Sequence, residues 1–375
     1  MTILDPFINI LSKDPYTALQ NISGQDSHIL IVSGFFPLAK SKHPMDDYSA
    51  WLARFLTPIT TEIYFFCPPD IAPMIQSLRG DLPITINTSF STPFDIPPLR
   101  GLESRYDEMH AWDREAFRHS PELYAVWSAK AFFLDEGVKN ARGSAEYDYA
   151  FWNDAGSFRD EHALAAWPDG RRVDEVFEMA SVLNRVPKED IIFIPMWWMP
   201  DYSLGSWKED LGPVDIDFSE GSFFGGTPAA ITSYRHMYYS YHDEYLSRNM
   251  FVGKDQTLIN ALIFLFPSRF ATVWLFDQEA PAHKGVPDNS ETPLGACGSS
   301  WFYYQWWLAS AEEQEKTAGI WMRVEDYSKE SWSRWRTRCR VTRVMGMDMV
   351  LKRQFGRMWT HPSSSFTIKD IQRHI

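Results

Sequence analysis

The chain has 375 residues, 45% of them hydrophobic and 23% charged, which is the balance of an ordinary water-soluble globular protein with room for a large core. A formal net charge of −13 argues against general nucleic-acid binding, because phosphate recognition needs concentrated Lys and Arg. The unusual quantity is aromatic content: 16 Trp, 16 Tyr and 26 Phe suit a sugar site as well as a core, since C–H edges pack on rings while hydroxyls bond at the rim.

From N- to C-terminus, Met1 to Gln20 mixes Asp5, Lys13 and Asp14 into short apolar pieces, so no continuous signal-like core is expected there. His28 to Phe35 reads as a buried strand ending at Gly34, followed by a basic loop, Lys40-Ser41-Lys42-His43. Asp46 to Leu56 has helical spacing, Ile63 to Cys67 is a second strand stopped by Pro68-Pro69, Ile71 to Arg79 a short helix, and Ile84 to Asn87 a third strand. This β–α–β–α–β order is the pattern of a nucleotide-binding half with parallel strands. Helical pattern resumes over Leu102 to Phe117 and Glu122 to Val138, the second with Trp127, Ala131, Leu134 and Val138 on one face. Lys130 lies beside that face, where a snorkelling surface lysine is the plain expectation.

Tyr147 to Trp152 then forms an aromatic strand that ends in Asn153-Asp154-Ala155-Gly156. An acid at the carboxyl end of an α/β strand stands where such sheets bind ligands, although for this segment alone an Asp that merely caps a turn is the commoner case. Val173 to Leu183 reads as a helix and Asp190 to Met196 as a strand. Ser222 to Pro228 reads as a glycine-containing turn into a helix capped by Thr227, and Lys254-Asp255-Gln256 opens another helix through Phe266. That last apolar run is too short to span a bilayer. Thr272 to Phe276 reads as a strand, His283 falls in a loop, and Trp301 to Glu315 and the region from Ser331 read as outer helices. From Ser331 to Ile375 ten Lys or Arg face only Asp348 and Asp370, a solvated face that also suits an acidic partner or an anionic membrane. Cys67, Cys297 and Cys339 are far apart, and neither a disulfide framework nor a zinc site is expected.

Four segments in order carry a resemblance: Val126-Trp127-Ser128-Ala129-Lys130, Phe151 to Gly156, Phe224-Gly225-Gly226 and Lys254 to Asn260. With them the chain resembles the GT-A type nucleotide-diphospho-sugar transferases and, more closely, the HtrL/YibB-like glycosyltransferases, over about Ile29 to Phe270. The resemblance implies an α/β, GT-A-like fold with a Rossmann-type mixed, mostly parallel sheet flanked by helices. It also implies a division into an N-terminal helical or loop extension (1–26), a glycosyltransferase domain (27–296) and a helical, basic C-terminal extension packed on it (297–375).

It implies transfer of a sugar from a UDP- or GDP-sugar donor to a glycan or other hydroxyl acceptor. Asp255 and Asp154 would be catalytic. Gly34, Lys40, Lys42, Lys130 and Asn153 would bind the donor with Gly156, Gly225, Gly226 and Gln256. Asp154 and His283 would hold Mn²⁺ or Mg²⁺, although Gly156 stands where the family's Asp-x-Asp pattern has its second acid. That departure leaves open a degenerate nucleotide-sugar or glycan-binding protein, and Asp154 with Asp255 also leaves open a glycoside hydrolase pair. The expected location is cytoplasmic or peripheral to a membrane, through the basic C-terminus.

Overall fold

The computed structural model describes residues 26–141, 147–283, 297–299, 301–325 and 339–366. Eight strands form one sheet: β1 (Ile29–Gly34), β2 (Glu62–Phe66), β3 (Ile84–Asn87), β4 (Tyr149–Asn153), β5 (Ile192–Phe193), β6 (Phe223–Gly226), β7 (Phe270–Val273) and β8 (Val344–Gly346). Their order is β3-β2-β1-β4-β6-β5-β7-β8. The first four are mutually parallel and β5 is parallel to β7, whereas β6 and β8 run antiparallel to their neighbours. The expected mixed, mostly parallel sheet flanked by helices is therefore the fold.

Strand alternation sorts the core into two layers. Leu30, Val32, Ala150 and Trp152 share one core layer with α3 (Glu103–His110), α4 (Pro121–Asn140), α6 (Pro228–Ser247) and α7 (Asp255–Leu265). Ile29, Ile31, Tyr149 and Phe151 face α1 (Met45–Leu56), α2 (Ala72–Arg79) and α5 (Gly170–Asn184). Both faces are covered, which is why these strands read as continuous apolar runs. Close packing of α4 on β1 needs Gly137, where a Cβ would lie 2.8 Å from a Val32 methyl.

Several expectations fail for local reasons. The helix expected to Phe117 stops at His110, because Asp113 folds the following residues into a loop: it accepts from the Glu115 amide (2.9 Å), from Tyr124 Oη (2.7 Å) and pairs with His119 Nδ1 (2.6 Å). Phe223–Gly226, expected as a turn, is the strand that pairs with both β4 and β5. Thr227 does cap α6, accepting from the Ala230 amide. The expected strand to Met196 is two residues long, continued by isolated bridges at Met196.

The C-terminal part is more than an outer helical layer. It supplies β8, then α10 (Met347–Phe355), after α8 (Tyr304–Trp307) and α9 (Ala311–Glu325). Cys297 and Cys339 form a disulfide, which corrects the expectation drawn from cysteine spacing. Distance along the chain says nothing about distance in space. Part of the basic C-terminal charge is held internally, with Arg343 and Arg353 paired to Asp277 and Lys352 to Asp348. Arg334, Arg336, Arg338, Lys369 and Arg373 lie outside the described residues, as does the N-terminal extension up to residue 25. No helix among the described residues is long and apolar enough to cross a membrane.

Candidate functional site

After β1 the chain moves outward to β2 and β3, then returns to place β4 on the other side of β1. The carboxyl ends of β1 and β4 thus mark a topological switch point, the place where open α/β sheets leave a crevice for ligands. Register pairs Val32 with Trp152, and the chain leaves the sheet two residues later on each strand, at Gly34 and Asp154. A cleft of about 1050 Å³ opens there. Its walls come from the β1–α1 loop, the first turns of α1, the middle of α4, the end of β4, the Gly221–Ser222 approach to β6, the start of α7, and Trp301 and Phe302.

At its floor three charged side chains meet. Lys130 Nζ lies 2.9 Å from Asp154 Oδ1 and 2.9 Å from Asp255 Oδ2, and donates to the Gly221 carbonyl at 2.8 Å. The Lys130 side chain is only 4% exposed and Asp255 6%, whereas Asp154 is 33% exposed. Burial works against the Lys130 charge, but the carboxylates of Asp154 and Asp255 outweigh it and raise its pKa. Burial, reinforced by Asp154, raises the pKa of Asp255 despite Lys130. Lys130 is therefore no snorkelling surface lysine but a buried counter-ion.

Each member is held by a local cause. Trp152 and Asp154, two apart on β4, lie on one side of the strand, and the indole Nε1 donates to Asp154 Oδ1 at 2.6 Å. Asp255 is the first residue of α7, where the helix dipole favours a carboxylate, and its Oδ1 accepts from the Gln256 amide at 2.9 Å. Gln256 donates through Nε2 to the Ser219 carbonyl at 2.6 Å. Asn260, one turn on, accepts from Ser219 Oγ at 2.7 Å and donates to the carbonyls of Val214 and Ile216. Together they fix the 214–222 segment that presents the Gly221 carbonyl to Lys130. A Cβ on Gly221 would lie 2.5 Å from Asp255 Oδ2, so this close approach requires glycine.

The rim is cationic and aromatic. Lys42 sits 4.8 Å from the centre of the Trp127 ring. Its ammonium is accessible to solvent yet surrounded by cleft atoms, and this partial desolvation, with Arg118 and Lys254 nearby, lowers its pKa to about 8. Arg159 bridges the rings of Trp51 (4.4 Å) and Phe302 (5.2 Å).

The other expected residues divide. Gly34 and Gly156 line the cleft. Lys40 also lines it, but its ammonium donates to the carbonyls of Ala116 (3.2 Å) and His119 (3.0 Å) and so anchors the 111–119 loop. Asn153 is buried beneath the cleft, donating to the Asp154 carbonyl and accepting from Ser157 Oγ, so it positions the turn without facing a ligand. Gly225 and Gly226 lie inside the sheet: a Cβ at either would strike the carbonyl of Ala150 or Ile191, so these glycines serve strand packing and not ligand approach. His283 ends the turn Pro281–His283 and does not line the cleft.

Sequence reasoning missed Gly221, Trp152 as a donor, and Arg159. The two-residue spacing of Trp152 and Asp154 was a readable signal; the others depend on segments far apart in sequence. A second acidic group, Asp113, Glu115 and His119, places its ligand atoms within 4.8 Å of one another. Asp113 is bonded to His119 and Tyr124, and Glu115 to Arg118 and Lys254, so this group folds the loop.

The expected metal pair, Asp154 and His283, is not assembled at the cleft, since His283 does not line it, and Asp154 with Asp255 fits a divalent ion no better. The ammonium of Lys130 occupies the space where a metal bridging the two carboxylates would sit, and Trp152 engages Asp154 from another side.

No protein-family model matches the chain, and no curated protein matches it in sequence. Among solved structures, the mannosyltransferase Ktr4p from S. cerevisiae is similar over 45% of this chain and 39% of that one, with 9% identity and a TM-score of 0.27. The likeness thus spans well under half of that protein.

Proposed function

We propose that the protein is a glycosyltransferase that moves a sugar from a nucleoside-diphosphate donor to a hydroxyl acceptor. The observation that carries this reading is the convergence of Asp154 and Asp255 beneath a cationic, aromatic rim at the switch point of the sheet. The likeness to HtrL/YibB-like transferases rests on the four sequence motifs. In this reading, Trp51, Trp127 and Trp301 offer ring faces to the base and sugars, while Lys42 and Arg159 meet the diphosphate.

The anomeric C–O bond to the diphosphate breaks, the electron pair leaves with the nucleoside diphosphate, and the acceptor oxygen bonds to the anomeric carbon. Asp255 takes the acceptor proton. Its Oδ2 contacts Lys130 as an ion pair but has no aligned hydrogen-bond donor, and its raised pKa makes it a better base. Asp154, the more exposed acid, accepts hydrogen bonds from sugar hydroxyls. A glycoside hydrolase fits less well, because its two carboxylates must flank a glycosidic bond and here they grip one ammonium. The burial of Asp255 favours a second reading, a binding protein without transfer. The Cys297–Cys339 bond is of a kind that persists in oxidising compartments, which supports action there and not in a reducing cytosol.

Thermal unfolding with UDP, GDP and CMP, free and as sugar conjugates, tests ligand class. One nucleotide should raise the melting temperature, since a ligand at 100 times its Kd adds about 2.7 kcal/mol to native stability. Lys42→Ala should weaken that ligand about tenfold, as expected for one charged hydrogen bond at an accessible site. If no nucleotide or nucleotide sugar shifts the transition, the reading fails.

A further inference from the structure

We infer that Lys130 is the built-in cation of this site, standing in place of a divalent metal, so that nucleotide binding and transfer need none. The inference takes its ligand class from the proposed function, but the ion question can be tested without any donor. Two observations carry it independently.

The first is the triad. Two carboxylates from separate elements converge as they would on an ion, and the space between them holds the Lys130 ammonium at 2.9 Å from each. The Gly221 carbonyl accepts from Nζ at 2.8 Å, so two carboxylates and a carbonyl surround the ammonium. The ammonium cannot easily withdraw. It projects from the middle of α4, a helix packed on β1 through Gly137 and on α6, and its buried position would leave two carboxylates uncompensated if it left. A dication entering beside it would face a buried like charge.

The second is position 156. A Cβ there would lie 3.2 Å from the Trp51 ring and 3.5 Å from that of Tyr48. Position 156, where the family pattern has its second metal-binding acid, thus faces an aromatic wall, and any side chain there would require the Trp51 ring to give by a few tenths of an ångström. Absence of the acid and presence of the ammonium describe one design. With both acids ionised the triad carries a net charge of −1, and neutralising the diphosphate falls to Lys42 and Arg159 at the rim.

Titration of the purified full chain with Mn²⁺, followed by electron paramagnetic resonance of the free ion, tests this without nucleotide. The wild type should take up no stoichiometric Mn²⁺, and its affinity for whichever nucleotide stabilises it should be the same in EDTA. Lys130→Met should open the carboxylate pair and bind one Mn²⁺ at least tenfold more tightly than the wild type. One equivalent of Mn²⁺ bound by the wild type and lost in Asp154→Asn overturns the inference. So does a folded Lys130→Met protein that gains no Mn²⁺. Should Lys130→Met not fold, the wild-type and Asp154→Asn titrations decide alone. A protein that binds no nucleotide at all sinks the functional reading and leaves the Mn²⁺ result standing.

Discussion

Lys130 and Glu220 show what burial does to a charge with and without partners. Lys130 keeps its proton because two carboxylates face it. Glu220 has neither carboxylate oxygen hydrogen-bonded, and burial pushes its pKa well above the ordinary value of 4.5. The sign follows from linkage: an acid with a raised folded-state pKa costs nothing below pH 4.5, and stability falls as pH rises, because only the unfolded chain releases the proton. Glu220→Gln should remove that slope. Urea unfolding at pH 5 and pH 8 should show the variant gaining on the wild type at the higher pH, by up to about 1.4 kcal/mol for each pH unit over which only the unfolded chain is ionised. Parallel pH profiles would contradict this assignment. Neither role was legible in sequence: the helical pattern made Lys130 a surface lysine, the resemblance made it a donor-binding residue, and Glu220 carried no signal at all. What buries them arrives from β4, α7 and the C-terminal part, and periodicity within one segment carries no trace of such neighbours.

At the scale of elements, long apolar runs were readable and short ones were not. β1, β2 and β4 each follow a clear strand pattern because both faces are covered, and Thr227-Pro228 announces α6 by its capping chemistry. β6 was hidden because Phe-Phe-Gly-Gly is brief and its glycines mimic a turn, and β8 because three residues show no alternation. The glycines exist for the strand: at Gly225, opposite Phe151, a Cβ would lie 2.7 Å from the Phe151 Cα. Gly225→Ala should force β6 from β4 and destabilise the fold by about 1–3 kcal/mol, as overpacking does. Because Asp154 directly follows β4, nucleotide affinity should fall with it. Denaturant unfolding within about 0.5 kcal/mol of the wild type, the range of an unconstrained surface change, would show that the glycine is not needed there.

For the whole molecule, the sheet order places acids and cations from distant segments around one crevice, and the C-terminal part completes its wall with Trp301 and Phe302. The order of motifs in the sequence pointed to that crevice through Asp154 and Asp255, while the ammonium between them emerged only from the packing of α4. Transfer at this crevice requires Asp255 as the base. Mass spectrometry of acceptor glycans incubated with the nucleotide sugar that stabilises the protein tests it most directly. The wild type should add one sugar residue and release the nucleoside diphosphate, while Asp255→Asn binds the donor as well yet transfers at least about a hundredfold more slowly, in keeping with loss of a general base. Tight donor binding by the wild type with no product, or an Asp255→Asn protein that transfers at the wild-type rate, would contradict it.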